Sequence, residues 1–486
     1  MSTSPAGARE SVSLAAADPA TESLIQELDA LFASPTVATG VLGILVQSVD
    51  TGQILFRHQP DTLVVPGSNM KLLTMATAAK RLGWEFTYET RLESLEAPVG
   101  GVLPGDLFVV GSGDPTFNAR HGDRLAAFRQ WALELKRAGI SRIAGRVVGD
   151  DDAFDEQQFG DEWSWNDFVY AYAAPVGALQ FNENAVEVSV RPGNAPEAPA
   201  ALSLSPPADL RLNATQMITG SAGSPMEIKI GRFPGSTELS VWGSIPVDGR
   251  EAVVRAAVDN PTTFFVRTLR DVLNAEGITV GGDAVDIDAV DDRPALKASA
   301  GRRKVLLRHQ SPTLAEIGKT MMKMSQNLYA ETVFRTLPGL QGQATVGLAR
   351  EAEGETLRNW GFAPGEYAIS DGSGLSRLNF VTASTIVRLL RAVALDPALS
   401  ADFDASLAVA GRDGLLVNRF RSTQAEGNVI AKTGTLTAVR ALSGYVRTRD
   451  GERLAFAFLA NNFLVPTSAI DALIDQAVER LANFSR

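Results

Sequence analysis

The 486-residue chain has no cysteine and only three histidines, His58, His121 and His309. Without cysteine there is no disulfide and no thiol nucleophile, although this does not identify the compartment. The histidines are isolated and offer no metal-ligand cluster, so no metal and no cofactor is expected, and each reads as a structural or surface residue. Basic residues are in the minority, 45 Lys and Arg against 56 Asp and Glu for a net charge of −11. With no long basic run either, nucleic acid is excluded as the expected partner. There are no internal repeats. Gly111-Ser-Gly113 suggests a phosphate loop only until one sees that no Gly-Lys-Ser/Thr follows, and it reads as a turn. No apolar run approaches membrane-spanning length. Residues 1–23 are small and polar, with Pro5, Arg9 and Asp18, and contain no apolar stretch that could act as a signal. They are expected to be disordered, and to begin a processed or truncated form with an added Met1.

What is present is more informative. Pro66-Gly67 breaks the chain before a helical run from Lys71 to Leu82, which Gly83 should stop. Ser68 stands at the start of that run with Lys71 three positions on, so both share one helical face and the lysine can reach the hydroxyl. A serine near a helix N-terminus also lies beside backbone N–H groups able to hold an oxyanion. Serine needs a base, and a partly desolvated lysine can be neutral near pH 7. Alone the pattern is weak, since composition produces it roughly once per chain of this kind. Ser325-Gln326-Asn327 falls between helical stretches at Leu314–Met324 and Leu328–Leu337. It reads as a turn that could offer Ser325 for proton relay and Asn327 to grip a substrate amide; the plain alternative is a helix cap.

The third motif is sharper. Asn428 to Thr435, containing Lys432-Thr433-Gly434, has strand composition, and Val439–Thr448 and Leu454–Ala460 follow around an Asp450-Gly451 turn. This is an antiparallel meander. Lys432 supplies positive charge, and Thr433 and Thr435 supply hydroxyls suited to a carboxylate. Gly434 has no side chain to block an extended peptide pairing along the strand edge.

Ser-x-x-Lys, Ser-x-Asn and Lys-Thr-Gly in this order form the active-serine signature of penicillin-recognising enzymes. The chain resembles the class C low-molecular-mass penicillin-binding proteins, the D-alanyl-D-alanine carboxypeptidase/endopeptidase family. Supporting stretches are Gly111-Ser-Gly-Asp-Pro115, Trp163-Ser-Trp-Asn-Asp167, Asn182-Glu-Asn184, His309-Gln-Ser-Pro312, Asp371-Gly-Ser-Gly-Leu-Ser-Arg377 and Ala431-Lys-Thr-Gly-Thr-Leu436, spread over roughly residues 40–465.

Spacing agrees with that class. Ser68 to Ser325 is 257 residues, whereas Ser325 to Lys432 is 107, so inserted domains are expected between the first two motifs. Between about 89 and 300 the chain turns to short alternating runs such as Ala185–Val190, Glu227–Ile230 and Glu238–Val241, with helices near Arg124–Ala138 and Pro261–Glu276. The expected fold is α/β (α+β), a penicillin-binding-protein/β-lactamase-like helix–sheet–helix peptidase domain interrupted by two nested, mostly β insertions. The peptidase domain is assigned to 24–88 and 301–486, the first insertion to 89–180 and 262–300, and the second to 181–261. Strands at Gly40–Ser48 and Gln53–His58 should join the C-terminal meander. A final helix, Ser468–Phe484, should cover one face with Ile470, Leu473, Ile474, Ala477 and Leu481, and helices from the active-serine segment and 314–337 should cover the other.

The resemblance implies a penicillin-sensitive serine D-alanyl-D-alanine carboxypeptidase, with DD-endopeptidase action as an addition. Its substrate is the peptidoglycan stem peptide, its covalent inhibitors are β-lactams, and its location is extracytoplasmic. Ser68 would be the nucleophile, Lys71 its base, Ser325, Asn327 and Lys432 the remaining catalytic groups, and the N–H groups of Ser68 and Thr435 the oxyanion donors. It also implies that Asp167 and Tyr172 bind the free amine end of the stem-peptide side chain, with Ser376 and Arg377 near the same pocket. An acidic residue facing an ammonium is physically sensible, although Asp167 could equally cap a helix or turn. Two alternatives stay open, a β-lactamase and a catalytically silent protein on the same scaffold. Gln326 in place of the commoner Asp, and no evident glutamate placed to activate water, weigh against the first.

Overall fold

The structure is a computed structural model that describes residues 18–340 and 342–486. At its centre is an antiparallel six-stranded sheet in the order Ala408–Val409, Ile430–Leu436, Val439–Arg447, Arg453–Asn461, Val41–Ser48, Ile54–His58. The expected joining of the two ends of the chain is present: Val41 faces Asn461 and Ser48 faces Leu454 along an unbroken register. Arg453–Asn461 is buried from Leu454 onward, as expected of a nearly continuous apolar strand covered on both faces.

One face carries the helix Thr467–Asn483, whose Ile470, Ile474, Val478 and Leu481 pack with Leu42, Phe456 and Phe458 of the sheet. A helix absent from the sequence reading, Pro19–Phe32, lies beside it and adds Leu24, Leu28 and Phe32 to the same core. Asp18 caps it, its carboxylate accepting from Ala20 N, Thr21 N and Thr21 Oγ1 at 2.7–3.0 Å, and Pro19 opens the first turn. The disorder expected over 1–23 therefore does not extend to 19–23; residues 1–17 lie outside the described residues.

The opposite face differs from expectation. The helix lying directly on Val41–Ser48 and Arg453–Asn461 is Ala383–Leu395, through Ile386, Leu389, Leu390 and Val393. Met70–Leu82, the helix expected there with 314–337, instead forms the centre of the helical layer. It is packed by Leu314–Lys323, Asn327–Thr336, Val346–Asn359 and Ala383–Leu395, and every residue from Met70 to Ala79 is buried. Gly83 ends it at φ 79°, a conformation open to glycine.

Between these halves stands a second body. Its five-stranded sheet runs Ala284–Asp286, Val147–Asp150, Leu107–Val110, Glu89–Ser94, Lys304–Gln310. Helices Ala126–Arg137 and Pro261–Ala275 supply Phe128, Trp131, Phe265 and Leu269 to its core. Lys304–Gln310 pairs with Glu89–Ser94, so it belongs to this sheet and not to the peptidase segment that the boundary at 301 assigns it to. Two three-stranded sheets follow within 185–257. Ala185–Arg191 is flanked by Ala201–Ser205 and Ala252–Ala257, and Glu238–Pro246 by Arg211–Gly220 and Glu227–Gly231. Among the described residues no helix is long and apolar enough to cross a membrane.

The inserted sheet is pinned by one buried cation. Arg303 donates to Asp150 Oδ2 at 2.6 Å and to Leu296 O at 2.8 Å, with its guanidinium 3.9 Å from the centre of the Phe108 ring. Both charged side chains are nearly inaccessible, so removing one strands the other without a partner. Arg303→Met is expected to destabilise the protein by about 3–5 kcal/mol. Urea denaturation followed by tryptophan fluorescence would measure this; an unchanged midpoint would show that the pair contributes nothing.

Candidate active site

Three segments far apart in the chain converge between sheet and helical layer. Pro66–Asn69 turns into the helix Met70–Leu82, with Gly67 at φ +51°. A Cβ on Gly67 would lie 3.1 Å from Thr435 N, so the turn rests directly on the Lys-Thr-Gly strand. Asn69 Nδ2 donates to Lys432 O at 3.1 Å and fixes this contact. A Cβ on Gly434 would meet Pro66 O at 2.5 Å and Asn69 Nδ2 at 3.0 Å, so the missing side chain also admits the turn that carries Ser68.

Ser68 is half-buried at the mouth of the site, and Lys71 is fully buried behind it. Lys71 Nζ lies 3.0 Å from Ser68 Oγ, 2.7 Å from Asn327 Oδ1 and 2.7 Å from Ser373 O. Two of these partners can only accept. A neutral amine has two N–H bonds for the two carbonyl oxygens and one lone pair left for the serine O–H. Burial drives Lys71 down from its ordinary range to about 7, while the charges of Glu331 and Asp371 oppose the shift. The lysine is thus poised to take a proton near neutrality.

Ser325 stands in the left-handed region at φ 56°, an uncommon conformation for serine that is maintained at the junction of helices Leu314–Lys323 and Asn327–Thr336. Its Oγ accepts from Lys432 Nζ at 2.8 Å. Lys432 also donates to Thr433 O at 2.8 Å, and its burial, with Lys71 nearby, lowers its pKa strongly. Ala408–Val409 pairs only with Ala431 and Ile430, so from Lys432 to Leu436 the outer edge of the strand has no strand partner among the described residues. Thr433 is half-buried, and Thr435 is exposed with its hydroxyl oxygen accepting from Arg440. That hydroxyl keeps its own proton to donate.

Asn327 does something other than wait for a substrate. Its Oδ1 holds Lys71, and its Nδ2 donates to Tyr172 O at 2.8 Å, bringing the inserted segment to the cleft. Tyr172 is 45% exposed, and its hydroxyl donates to Asp167 Oδ1 at 2.6 Å. Partial burial and this carboxylate push the phenol pKa up. Asp167 and Tyr172 thus lie together, and Tyr172 lies beside Asn327. Ser376 does not join them: it is fully buried, its N–H donates to Asp371 Oδ2, and its Oγ accepts from Leu378 N. Its hydroxyl shapes the loop. Arg377 is exposed and ties that loop to Thr437 O at 2.5 Å.

Several contributors carry no motif. Glu331, one helical turn after Asn327, is buried and accepts from Ser373 N at 2.7 Å, which orients the Ser373 carbonyl that Lys71 uses. Burial, with Asp371 nearby, pushes Glu331 up to about 7. Asp371 accepts from Gly374 N, Ser376 N, Asn379 Nδ2 and Trp163 Nε1 at 2.6–2.8 Å. Glu331 was visible in the sequence as an acidic residue one helical turn after Asn327; the Ser373 carbonyl was not.

Comparison with known proteins agrees with this geometry. A profile of the D-Ala-D-Ala carboxypeptidase 3 (S13) family matches residues 24–484, and the chain belongs to that family of serine-type carboxypeptidases. It is 35% identical to the D-alanyl-D-alanine carboxypeptidase of Actinomadura sp. (strain R39) over 486 residues, covering 95% of this chain and 85% of the relative. The crystal structure of penicillin binding protein 4 from Haemophilus influenzae superposes with a TM-score of 0.78 at 24% identity, covering 93% of this chain and 98% of that one. The same protein complexed with a β-lactam superposes at 0.75 and 23% identity, covering 95% and 100%. At these identities the two structures speak for the fold alone.

A pH dependence follows from Lys71. Below about pH 7 the amine is protonated and cannot accept from Ser68, so the second-order rate of acylation by a fluorescent penicillin is expected to fall about tenfold per pH unit. Glu331→Gln removes a charge that favours the ammonium and should move this limb to lower pH. A limb that stays in place, or moves up, would rule out an electrostatic action of Glu331 on Lys71.

Proposed function

We propose that this protein is a penicillin-sensitive serine D-alanyl-D-alanine carboxypeptidase acting on peptidoglycan stem peptides outside the cytoplasm, with DD-endopeptidase action on cross-linked stems as a further activity of the same site. The observation carrying this reading is the pairing of Lys71 Nζ with Ser68 Oγ at 3.0 Å while two carbonyl oxygens occupy the amine's other positions.

Ser68 Oγ attacks the carbonyl carbon between the two D-alanines and gives its proton to Lys71. The N–H groups of Ser68 and Thr435 hold the oxyanion, which is consistent with the close approach of the nucleophile turn to the strand. The C–N bond then breaks. The leaving amine takes the proton held by Lys71, relayed through Ser325 and Lys432, which are hydrogen-bonded at 2.8 Å. Water finally attacks the acyl-Ser68 ester, giving a proton to the neutral Lys71, and that proton passes to Ser68 Oγ as the ester bond breaks. The hydroxyls of Thr433 and Thr435 and the N–H donors of Lys432 suit the terminal carboxylate of the substrate, and the open strand edge suits its extended backbone. A β-lactam carries the same acyl carbon and carboxylate, and a relative of this fold is solved with one bound. Around the cleft we divide the chain into a peptidase domain of 18–88 and 311–486, an insertion of 89–180 and 262–310, and a nested insertion of 181–261. The first boundary follows the helix at Pro19 and the last follows the strand pairing of Lys304–Gln310.

Penicillin is expected to add one acyl group to Ser68, and Ser68→Ala to abolish labelling in a folded protein. Lys71→Ala should slow acylation by at least roughly 10²-fold. Mass spectrometry locating the adduct elsewhere, or near-normal acylation in Lys71→Ala, contradicts the assignment. An adduct lost within seconds favours a β-lactamase.

Asp167 and Tyr172 are proposed to bind the amine end of the stem-peptide side chain. A stem peptide with a free amine should then be cleaved with kcat/KM higher than its N-acetylated form by roughly one to two powers of ten. Asp167→Asn should reduce that preference and leave penicillin acylation unchanged. Equal rates for the two peptides in the wild type would return Asp167 to a loop-capping role.

A further inference from the structure

Beyond Asp167 the molecule opens into a cavity of about 760 Å³ between the 165–170 segment and the sheet formed by 211–246. Its walls carry the aromatic rings of Trp165, Tyr170, Phe233 and Trp242 and the cations Lys229 and Arg232. Two features mark it as more than a packing gap. Trp165 is 53% exposed and Phe233 is 74% exposed, which leaves large apolar ring surface in water. The two rings are nearly parallel, 5° apart with centroids at 6.2 Å, although they come from different parts of the chain. In addition, Arg232 has a buried Nη1 with no hydrogen-bond partner among the described residues, and its Nη2 reaches only Val258 O at 3.4 Å. A buried guanidinium N–H left unpaired is destabilising unless something else accepts from it.

The cavity wall is linked to the groups around Ser68 by a chain of hydrogen bonds. Asp167 on its wall accepts from Tyr172, whose carbonyl accepts from Asn327, which accepts from Lys71. Each of these contacts is 2.6–2.8 Å. Going outward from Asn327, Tyr172 leads to Asp167, which lines this space. A stem peptide is tethered to a glycan, and four extended residues span at most roughly 13–14 Å, so the sugar cannot lie far from the reacting bond.

We propose that this cavity is a glycan subsite, taking an N-acetylhexosamine unit of the strand to which the stem peptide is attached. The inference rests on the carboxypeptidase reading above. A pyranose ring presents a face of C–H bonds that stacks on flat aromatic surfaces such as Trp165 and Phe233, while its hydroxyl and acetamido oxygens accept from Lys229 and Arg232. A bare peptide stem makes less use of two broad parallel rings.

The test compares a stem pentapeptide ending in D-Ala-D-Ala with the same pentapeptide carried on an N-acetylhexosamine disaccharide, using the full chain. The disaccharide form is expected to be cleaved with about tenfold higher kcat/KM, the gain lying in KM. Phe233→Ala, at an exposed position, should remove that gain and leave the free pentapeptide and penicillin acylation unchanged; Lys229→Ala should reduce it in part. Binding is read separately in Ser68→Ala by tryptophan fluorescence, which should respond to the disaccharide form at lower concentration than to the free peptide. Equal kcat/KM for the two substrates, or a gain that survives Phe233→Ala, overturns the subsite. If Phe233→Ala weakens both substrates alike, the occupant is peptide and the glycan assignment is wrong. Should neither substrate be cleaved, the carboxypeptidase reading fails, while the fluorescence comparison still decides what the cavity binds.

Discussion

The structure depends most on the burial of one amine. Lys71 is surrounded on a helix that is itself enclosed by four others, and no water-facing route remains for its charge. An ammonium in such a place is unfavourable unless compensated, and here compensation is deliberately partial: two carbonyl oxygens at contact distance and the more remote charges of Glu331 and Asp371. Full pairing with a carboxylate would keep the proton on nitrogen, and no acidic partner at all would abolish the lysine's ability to hold one. Hydrogen bonds to neutral oxygens, with carboxylates one layer away, leave both states accessible near neutrality.

That arrangement needs three chain segments to meet within a few ångströms, and glycine makes the meeting possible. Gly67 and Gly434 face each other across the turn-to-strand contact, and an added Cβ on either would press on backbone atoms of the other segment. The contact sets the height of Ser68 over the Lys-Thr-Gly strand. Ser325 completes the site by accepting an uncommon backbone conformation, which is stable only because a packed helix begins and another ends within two residues of it.

What was legible in the sequence divides along a physical line. The motif residues were legible because each announces its local structure. Pro66-Gly67 and Gly83 bracket one helix, Ser325-Gln326-Asn327 separates two, and the run to Thr435 has strand composition. The sheet's assembly from both chain ends was legible for the same reason. Backbone groups were not: the carbonyls of Ser373 and Tyr172 carry no signature of residue type, although both bind the catalytic groups. Nor were choices among similar apolar elements. Ala383–Leu395 has the spacing of a buried helix, yet only packing reveals that it, and not Met70–Leu82, lies against the strands. Lys304–Gln310 was assigned to the wrong body because an edge strand looks the same whichever sheet it completes. Ser376 was misread because a hydroxyl in a glycine-rich loop can cap the loop as readily as meet a ligand.

The insertion is better understood as part of the site than as an ornament on it. Trp163 Nε1 donates to Asp371, the acceptor that organises the loop presenting Ser373 to Lys71, and Tyr172 O takes the amide of Asn327. Both contacts come from one stretch of about ten residues; one reaches Asn327, which touches the lysine, and the other reaches Asp371, which organises the loop that carries Ser373. A shift of that stretch would therefore alter two of the three positions around the amine at once. The neighbouring cavity is lined by Trp165 and Asp167 of the same stretch, so an occupant there would act on it. Substrate bound far from the scissile bond would then hold Asn327 and Ser373 in place during the proton transfer, which is how remote binding energy can lower a chemical barrier rather than merely increase residence.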